Sequence, residues 1–437
     1  MLDVRKIRSD FPLLVRPENR DLVYIDSAAT THRPRQVLEA MEDFYRRDNA
    51  NPHRGAYRLA ERATAAYEAA RARVAAFIGA GRSEEIIFTR NATEAVNLVA
   101  WGWAERAVQE GDEIIVTELE HHSNLVPWQM VAQRCGARLR FLEIDEAGRL
   151  SSDQLDDLLT PRTRLLAITQ TSNALGTIVP LGRFIDKAHA AGALVLVDGA
   201  QSVPHMAVDV QALDTDFLAF SGHKMLGPLG IGVLYGKMAH LEKMNPFLFG
   251  GDMISSVDYM HSEWNDVPWK FEAGTQNVAG AVGLAAAIDY LEEIGMTAIA
   301  EHDHALTQLA LEKLASLEGI ILYGPRTERG PALSFNLASI HPHDLATFLD
   351  QQQIAIRSGH HCAQVVMHKL QVPATARASF YLYNSEQDVE RLVNGLLQAK
   401  DYFEKWLLIN SIRKCFWTIT GNRATGGSLP MRTSVWN

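Results

Sequence analysis

Apolar runs of strand length alternate with segments of helical period through the first two thirds of the chain. The runs Glu85–Thr89, Glu113–Thr117, Arg138–Leu142, Arg164–Thr169, Ala193–Val197, Phe217–Phe220 and Ile231–Tyr235 predict seven strands. Several are apolar at successive positions, as a strand covered by helices on both faces must be. Between them Tyr57–Ile78, Thr93–Val108, Asn124–Arg134 and Leu181–Ala191 carry apolar residues at helical spacing. This rhythm predicts an α/β fold with a mostly parallel seven-stranded sheet and functional residues at the carboxyl ends of its strands.

Past about residue 295 the pattern changes. A long charged helix over Ala298–Leu317 precedes Ala332–Asn336, His343–Gln352, Ile354–Arg357 and a last helix near Glu386–Glu404. The expected organisation is an N-terminal segment (1–20) packed with a small domain, a large domain (21–295), that smaller α+β domain (296–404) and a tail (405–437). The tail has five basic residues, no acidic ones and no clear apolar period, so it is expected to pack poorly and stay out of catalysis. A docking segment is the alternative.

Composition narrows the function. With 437 residues, 47% hydrophobic and 22% charged, the chain has the make-up of a soluble globular protein large enough for two domains. A net charge of −10 argues against nucleic-acid partners, which demand an excess of Lys and Arg. No apolar run reaches the roughly 18 residues of a membrane span, and Met1–Lys6 lacks a secretory pattern. Cys135, Cys362 and Cys415 give no disulfide framework. A cytoplasmic enzyme is expected.

Two strand ends carry the chemistry. Leu194–Val197 runs into Asp198, and Phe217–Phe220 runs into Ser221-Gly222-His223-Lys224, with the lysine 26 positions after the aspartate. Pyridoxal phosphate needs that pairing: a lysine to form a Schiff base with the aldehyde and a carboxylate for the pyridinium nitrogen. Lys224 would also carry protons, and Ser221 and His223 would donate to the phosphate. In Ile87–Ala95 a strand, a turn and a helix start bring free backbone N–H groups and the Thr93 hydroxyl to an anion, although Asn91 and Thr93 also suit a plain cap.

His121, in Glu120-His121-His122-Ser123-Asn124, follows a strand and suits stacking on the ring and proton movement near neutral pH. Paired histidines also suit a metal, but no cysteine or carboxylate joins them at ligand spacing, so no metal is expected. Asn173, just past a strand, reaches toward the ring hydroxyl or a substrate carboxylate, or simply makes a turn. Gln201 is placed on the cofactor side. Cys362 follows Gly-His-His and stands five residues after Arg357, cationic company that favours a nucleophilic thiolate over a structural thiol. Arg377, among small and apolar neighbours, has a fork that fits an amino acid's carboxylate.

Taken together these residues resemble a known family. The chain is similar over roughly 1–404 to the class V aminotransferase-like pyridoxal-phosphate enzymes, specifically the SufS-type (group II) cysteine desulfurases. The likeness rests on Asp26-Ser27-Ala28-Ala29-Thr30, Asn51-Pro52-His53-Arg54-Gly55, Glu120–Asn124, Val197–Gln201, Ser221–Lys224, Phe271-Glu272-Ala273-Gly274-Thr275 and Arg357-Ser358-Gly359-His360-His361-Cys362-Ala363. The last motif has no long insertion around the cysteine, which sets it apart from the IscS-type group.

The resemblance implies the fold-type-I transferase architecture and a homodimer. It implies Lys224 bonded to the cofactor, Cys362 as the nucleophile that becomes a persulfide, and His121 on the ring. Asp198 would meet the ring nitrogen and Gln201 the ring oxygen. Thr93, Ser221 and His223 would hold the phosphate, with Thr275 of the partner subunit. Asn173 and Arg377 would hold the carboxylate of L-cysteine, with Arg357 beside them. Relatives often have Thr-Thr where this chain has Ala92-Thr93, which removes one phosphate donor. A SufE- or SufU-type acceptor protein would take the sulfur toward iron–sulfur clusters, and selenocysteine lyase activity is implied as well. The rivals are another enzyme of the same fold that does not use Cys362, and a non-catalytic scaffold.

Overall fold

The computed structural model describes the backbone of residues 2–338 and 340–420, and side chains within those ranges as far as 405. A short strand β1 (Val23–Tyr24) precedes β2 (Ile86–Thr89), β3 (Glu113–Thr117), β4 (Arg138–Leu142), β5 (Thr163–Thr169), β6 (Leu194–Asp198), β7 (Phe217–Ser221) and β8 (Gly232–Gly236). These last seven form one sheet in the order β2-β8-β7-β6-β5-β3-β4. Only β8 runs against its neighbours, so the sheet is the mostly parallel one expected, with each strand within a residue of its predicted span.

The apolar runs are explained by what covers them. β3, β7 and β8 are buried at every position. Ile115, Leu166, Val197 and Phe220 face one apolar layer, where helices Arg58–Phe77, Leu181–Ala190 and Val278–Ile294 supply Tyr67, Phe184 and Leu284. Ile114, Leu165, Leu196 and Phe217 face a second, where helices Ala92–Val99 and Val126–Cys135 supply Val96 and Trp128. Each fully buried aliphatic or Phe side chain is worth about 1.5–3 kcal/mol, so two filled faces hold the strand ends rigidly.

A hairpin of β9 (Ile254–Val257) and β10 (Ser262–Trp264) leaves the body. Farther on, β11 (Ile320–Tyr323), β12 (Ala332–Leu337), β13 (Ile354–Ala355), β14 (Arg357–Gly359) and β15 (Thr375–Ser379) follow. A second sheet, antiparallel in the order β11-β12-β15-β14, packs through Leu333, Phe335 and Ala378 against helices Met296–Ala315, Pro342–Asp350 and Glu386–Thr420. β13 pairs with β1 instead. Phe11, just after the helix Val4–Ser9, contacts the ring of Tyr290 from the first layer and that of Tyr383 beyond β15.

The structure revises some spans. Thr93–Val108 is not one α-helix: Ala92–Val99 opens into a wider π turn, Ala100–Ala104. There the Gly102 carbonyl turns out to accept from the Asn245 N–H at 2.9 Å, and a β-carbon on Gly102 would lie 2.6 Å from the Asn245 oxygen. Ile354–Arg357 is two strands that serve different sheets. The helices Arg35–Arg47 and Val278–Ile294 and the hairpin were not anticipated. The last helix runs past Glu404 to Thr420; the side chains of the 406–437 tail, and its backbone from 421, lie outside the described residues. Among the described residues no helix is long and apolar enough to cross a membrane.

Candidate active site

Because β2, β3, β5, β6 and β7 share one direction, their carboxyl ends meet at one edge of the sheet. A cavity of about 210 Å³ lies there, walled by Lys224, Asp198, His121, Cys362, Arg357 and Arg377. Ala92, Thr93, Asn173, Ser221 and His223 also line it. Residues spread over almost three hundred positions thus share one small volume.

Lys224 closes a single helical turn after β7. Burial pulls its amino group below the usual lysine range, the charge of Asp198 pulls it back up, and Arg377 adds to the depression. Asp198 ends β6; burial raises its carboxyl, while the Lys224 charge and the Ala200 N–H, which donates to Oδ1 at 2.9 Å, act the other way. A less basic lysine is a better nucleophile and proton carrier near neutral pH.

The turn after β2 is both a cap and a cradle. Asn91 Oδ1 accepts from the Glu94 N–H at 3.0 Å, while Ser221 Oγ accepts from the Ala92 N–H at 2.8 Å and keeps its own proton to donate. Thr93 and Ser123 share a hydroxyl contact of 2.6 Å. Gly232 of β8 passes so close that its β-carbon would sit 2.4 Å from Asn91 Cα, so only glycine fits. His223 holds the Thr31 N–H and hydroxyl on its carbonyl, and burial lowers its imidazole to about 4.

His121 Nδ1 accepts from the Ser123 N–H at 3.0 Å, which leaves Nε2 to carry the ring proton. Burial, then the charge of Lys224, lowers this histidine to about 3, so it is neutral at physiological pH. Arg377 donates to Asp26 Oδ1 at 2.8 Å and to the Asn173 carbonyl at 2.9 Å, while its Nε is buried without a partner. Arg357 is its register partner across β14 and β15, so two guanidinium groups stand side by side.

The cysteine loop is held from three sides. His361 and Cys362 both adopt left-handed backbone, φ +53° and +54°, where side chains are disfavoured. Asn173 Nδ2 donates to the His361 carbonyl at 2.7 Å, the His122 N–H to the Cys362 carbonyl at 2.8 Å, and the Gln364 N–H to His122 Nε2 at 3.2 Å. His361 Nε2 meets Thr375 Oγ1 at 2.8 Å. Cys362 is half-buried.

Two sequence candidates stand back from the cavity. Gln201 Nε2 donates at 2.8 Å to the carbonyl of Ala28, which forms part of the wall. Thr275 is exposed, in a segment anchored by the buried pair Arg71 and Glu272. Three residues were given no role from sequence: Asp26, the ion-pair partner of Arg377; His361, on the wall; and the buried Glu120. All three sat inside quoted motifs, and what ties them to the site is contact with other strands: Arg377 of β15 for Asp26, Thr375 of β15 for His361 and Thr169 of β5 for Glu120.

This donor set fits pyridoxal phosphate. A buried lysine of lowered basicity faces a buried carboxylate, a helix start with hydroxyls offers an anion site, and paired guanidinium groups await a carboxylate. Comparison with known proteins agrees. The family model described as aminotransferase class-V matches residues 23–392. A probable cysteine desulfurase from Halalkalibacterium halodurans is 51% identical over 403 residues, covering 92% of this chain and 99% of the relative. A cysteine desulfurase from Haloferax volcanii is 46% identical over 417 residues, covering 92% and 98%. The crystal structure of the Escherichia coli cysteine desulfurase CsdA superposes with a TM-score of 0.86 at 43% identity, covering 92% of this chain and 99% of that one.

Proposed function

We propose that this chain, which belongs to the class-V aminotransferase family, is a pyridoxal-phosphate-dependent cysteine desulfurase. The observation that carries the reading is Cys362 in the same cavity as Lys224 and Asp198. The cofactor supplies an aldehyde to carry the amino acid and a ring to accept electrons. Arg377 and Arg357, with Asn173, orient the carboxylate of L-cysteine, and Asp26 keeps the Arg377 fork in place. Lys224, freed of its own bond, moves the Cα proton. The Cys362 sulfur attacks the substrate sulfur as the Cβ–S bond breaks; an S–S bond forms and L-alanine leaves. His121, neutral and close by, is suited to pass a proton to or from the reacting groups.

The finer reading is of the SufS type. The active form is a homodimer in which Thr275 of the partner subunit completes the phosphate site, supported here by its exposure and rigid anchor. The Cys362 persulfide goes to a SufE- or SufU-type acceptor for iron–sulfur cluster assembly in the cytoplasm. Selenocysteine, which presents the same amine and carboxylate, is a second substrate. Residues 21–295 form the cofactor domain and 296–404 the small domain that brings Cys362, Arg357 and Arg377.

Intact-protein mass spectrometry after brief exposure to L-cysteine, with alanine assayed in the same tube, tests the core of this reading. A one-sulfur gain on Cys362 with alanine supports it. Alanine without that gain would put the sulfur chemistry elsewhere.

A further inference from the structure

Glu120 is about 1% exposed, at the turn after β3. Its Oε1 accepts from Thr117 Oγ1 at 2.7 Å and from the Thr169 N–H at 2.8 Å, and its Oε2 accepts from Asn124 Nδ2 at 2.6 Å. All three donors are neutral. Asn124 is fixed in turn by Trp128, whose Nε1 donates to Asn124 Oδ1 at 3.0 Å. This carboxyl group is therefore held in one place by the packing of β3, β5 and the following helix.

Thr169, which binds Glu120, is the register partner of Asp198 across β5 and β6. Two buried carboxyl groups thus flank the end of β5, Glu120 from the β3 side and Asp198 from β6. Burial raises both, Glu120 to about 8 against the pull of its hydrogen bonds, and the charge of Asp198 raises it further. The other charged groups around this end of the cavity are Lys224, which attracts Asp198, and Arg377 and Arg357 beyond it; His121 is neutral. Neighbouring buried carboxylates resist ionising together, and each further cation beside them favours the doubly ionised pair.

We propose that Glu120 is a positioning residue for the cofactor's ring nitrogen: with Asp198 it forms a carboxyl pair that holds a proton in the empty site and yields it to the ring nitrogen on loading. One O–H bond of the pair breaks and one N–H bond forms, so the ring is held as a cation against two carboxylates instead of one. Glu120 need not touch the cofactor, because its charge acts through the low-dielectric interior. The proposal rests on the cofactor reading given above.

The test uses pyridoxal phosphate labelled with ¹⁵N in the ring, loaded into the wild-type protein and into Glu120→Gln. The ¹⁵N shift, followed from acidic to alkaline pH, reports ring protonation independently of turnover. The wild-type nitrogen is expected to stay protonated through neutral pH, and the variant to show a proton affinity lower by about tenfold, one pKa unit. Coinciding titrations would overturn the proposal. Should the variant fail to fold, infrared spectra of the wild-type protein decide: a carboxylic-acid band in the cofactor-free form must vanish on loading, and a band indifferent to loading refutes the carboxyl pair. A wild-type protein that takes up no cofactor would instead overturn the function itself.

Discussion

Thr375→Val isolates the conformation of the cysteine loop from the rest of the chemistry. Left-handed backbone at His361 and Cys362 costs roughly 1–2 kcal/mol per residue, or about 2–4 kcal/mol for the loop. The clamps from Asn173, His122 and Thr375 offset that cost, at about 1 kcal/mol net for each hydrogen bond. Valine preserves the shape at a fully buried position but removes the 2.8 Å partner of His361 Nε2, whose Nδ1 is already buried and unpaired. An imidazole stranded in this way costs about 1–3 kcal/mol, which lowers the ratio of clamped to released loop by roughly 5- to 150-fold. Cys362 then spends most of its time away from the substrate sulfur, while Lys224, in the turn after β7, is undisturbed. Two single-turnover rates separate these effects: sulfur gain on Cys362 by rapid-quench mass spectrometry, and exchange of the Cα proton of L-alanine in deuterium oxide. Sulfur transfer is expected to slow at least fivefold with Cα exchange within a factor of two of wild type. An equal loss in both rates, or none in sulfur transfer, would refute the idea that Thr375 acts by holding the loop.

Other substitutions probe the remaining parts. Cys362→Ala should abolish alanine formation from L-cysteine while the cofactor absorbance band persists; retained desulfuration would exclude Cys362 as the acceptor. Arg71→Met leaves Glu272 buried without its 2.7 Å guanidinium partner, so urea unfolding should show a loss of about 3–5 kcal/mol, and a loss under about 1 kcal/mol would mean the pair is dispensable. His32, held by burial at about 4 against an ordinary 6.5, stays neutral in the folded chain while the unfolded chain takes up a proton. Its contribution is complete above pH 6.5 and falls away as the pH drops toward 4, with a slope of roughly 1.4 kcal/mol per pH unit. His32→Leu should flatten the stability profile in that window, and an unchanged profile would assign the slope to other groups.

How much was readable in advance follows from where each constraint originates. The seven strands were legible because burial on both faces forces apolar residues at every position, a local signature. Lys224, Asp198 and the turn at Asn91–Thr93 were legible for a similar reason, since chemistry at a strand's end marks the residues that follow the apolar run. The π turn at Ala100–Ala104 was not, because its cause is the Asn245 N–H, more than a hundred residues away. Asp26 and Glu120 were hidden in the same manner. A carboxylate in a motif looks the same whether it faces water, pairs with Arg377 or lies buried beside Asp198, and only tertiary packing decides. The split of Ile354–Arg357 shows what that packing achieves. Ile354–Ala355 joins β1, whereas Arg357–Gly359 joins β15, so the partner strand changes across a single residue. That change lets one short segment leave the second sheet's edge and carry His361 and Cys362 into the cavity under clamps from β3, β5 and β15. Cys362 is thus set by contacts from the large sheet and the small one together, so sulfur transfer should be more sensitive to small-sheet substitutions than proton transfer at Lys224.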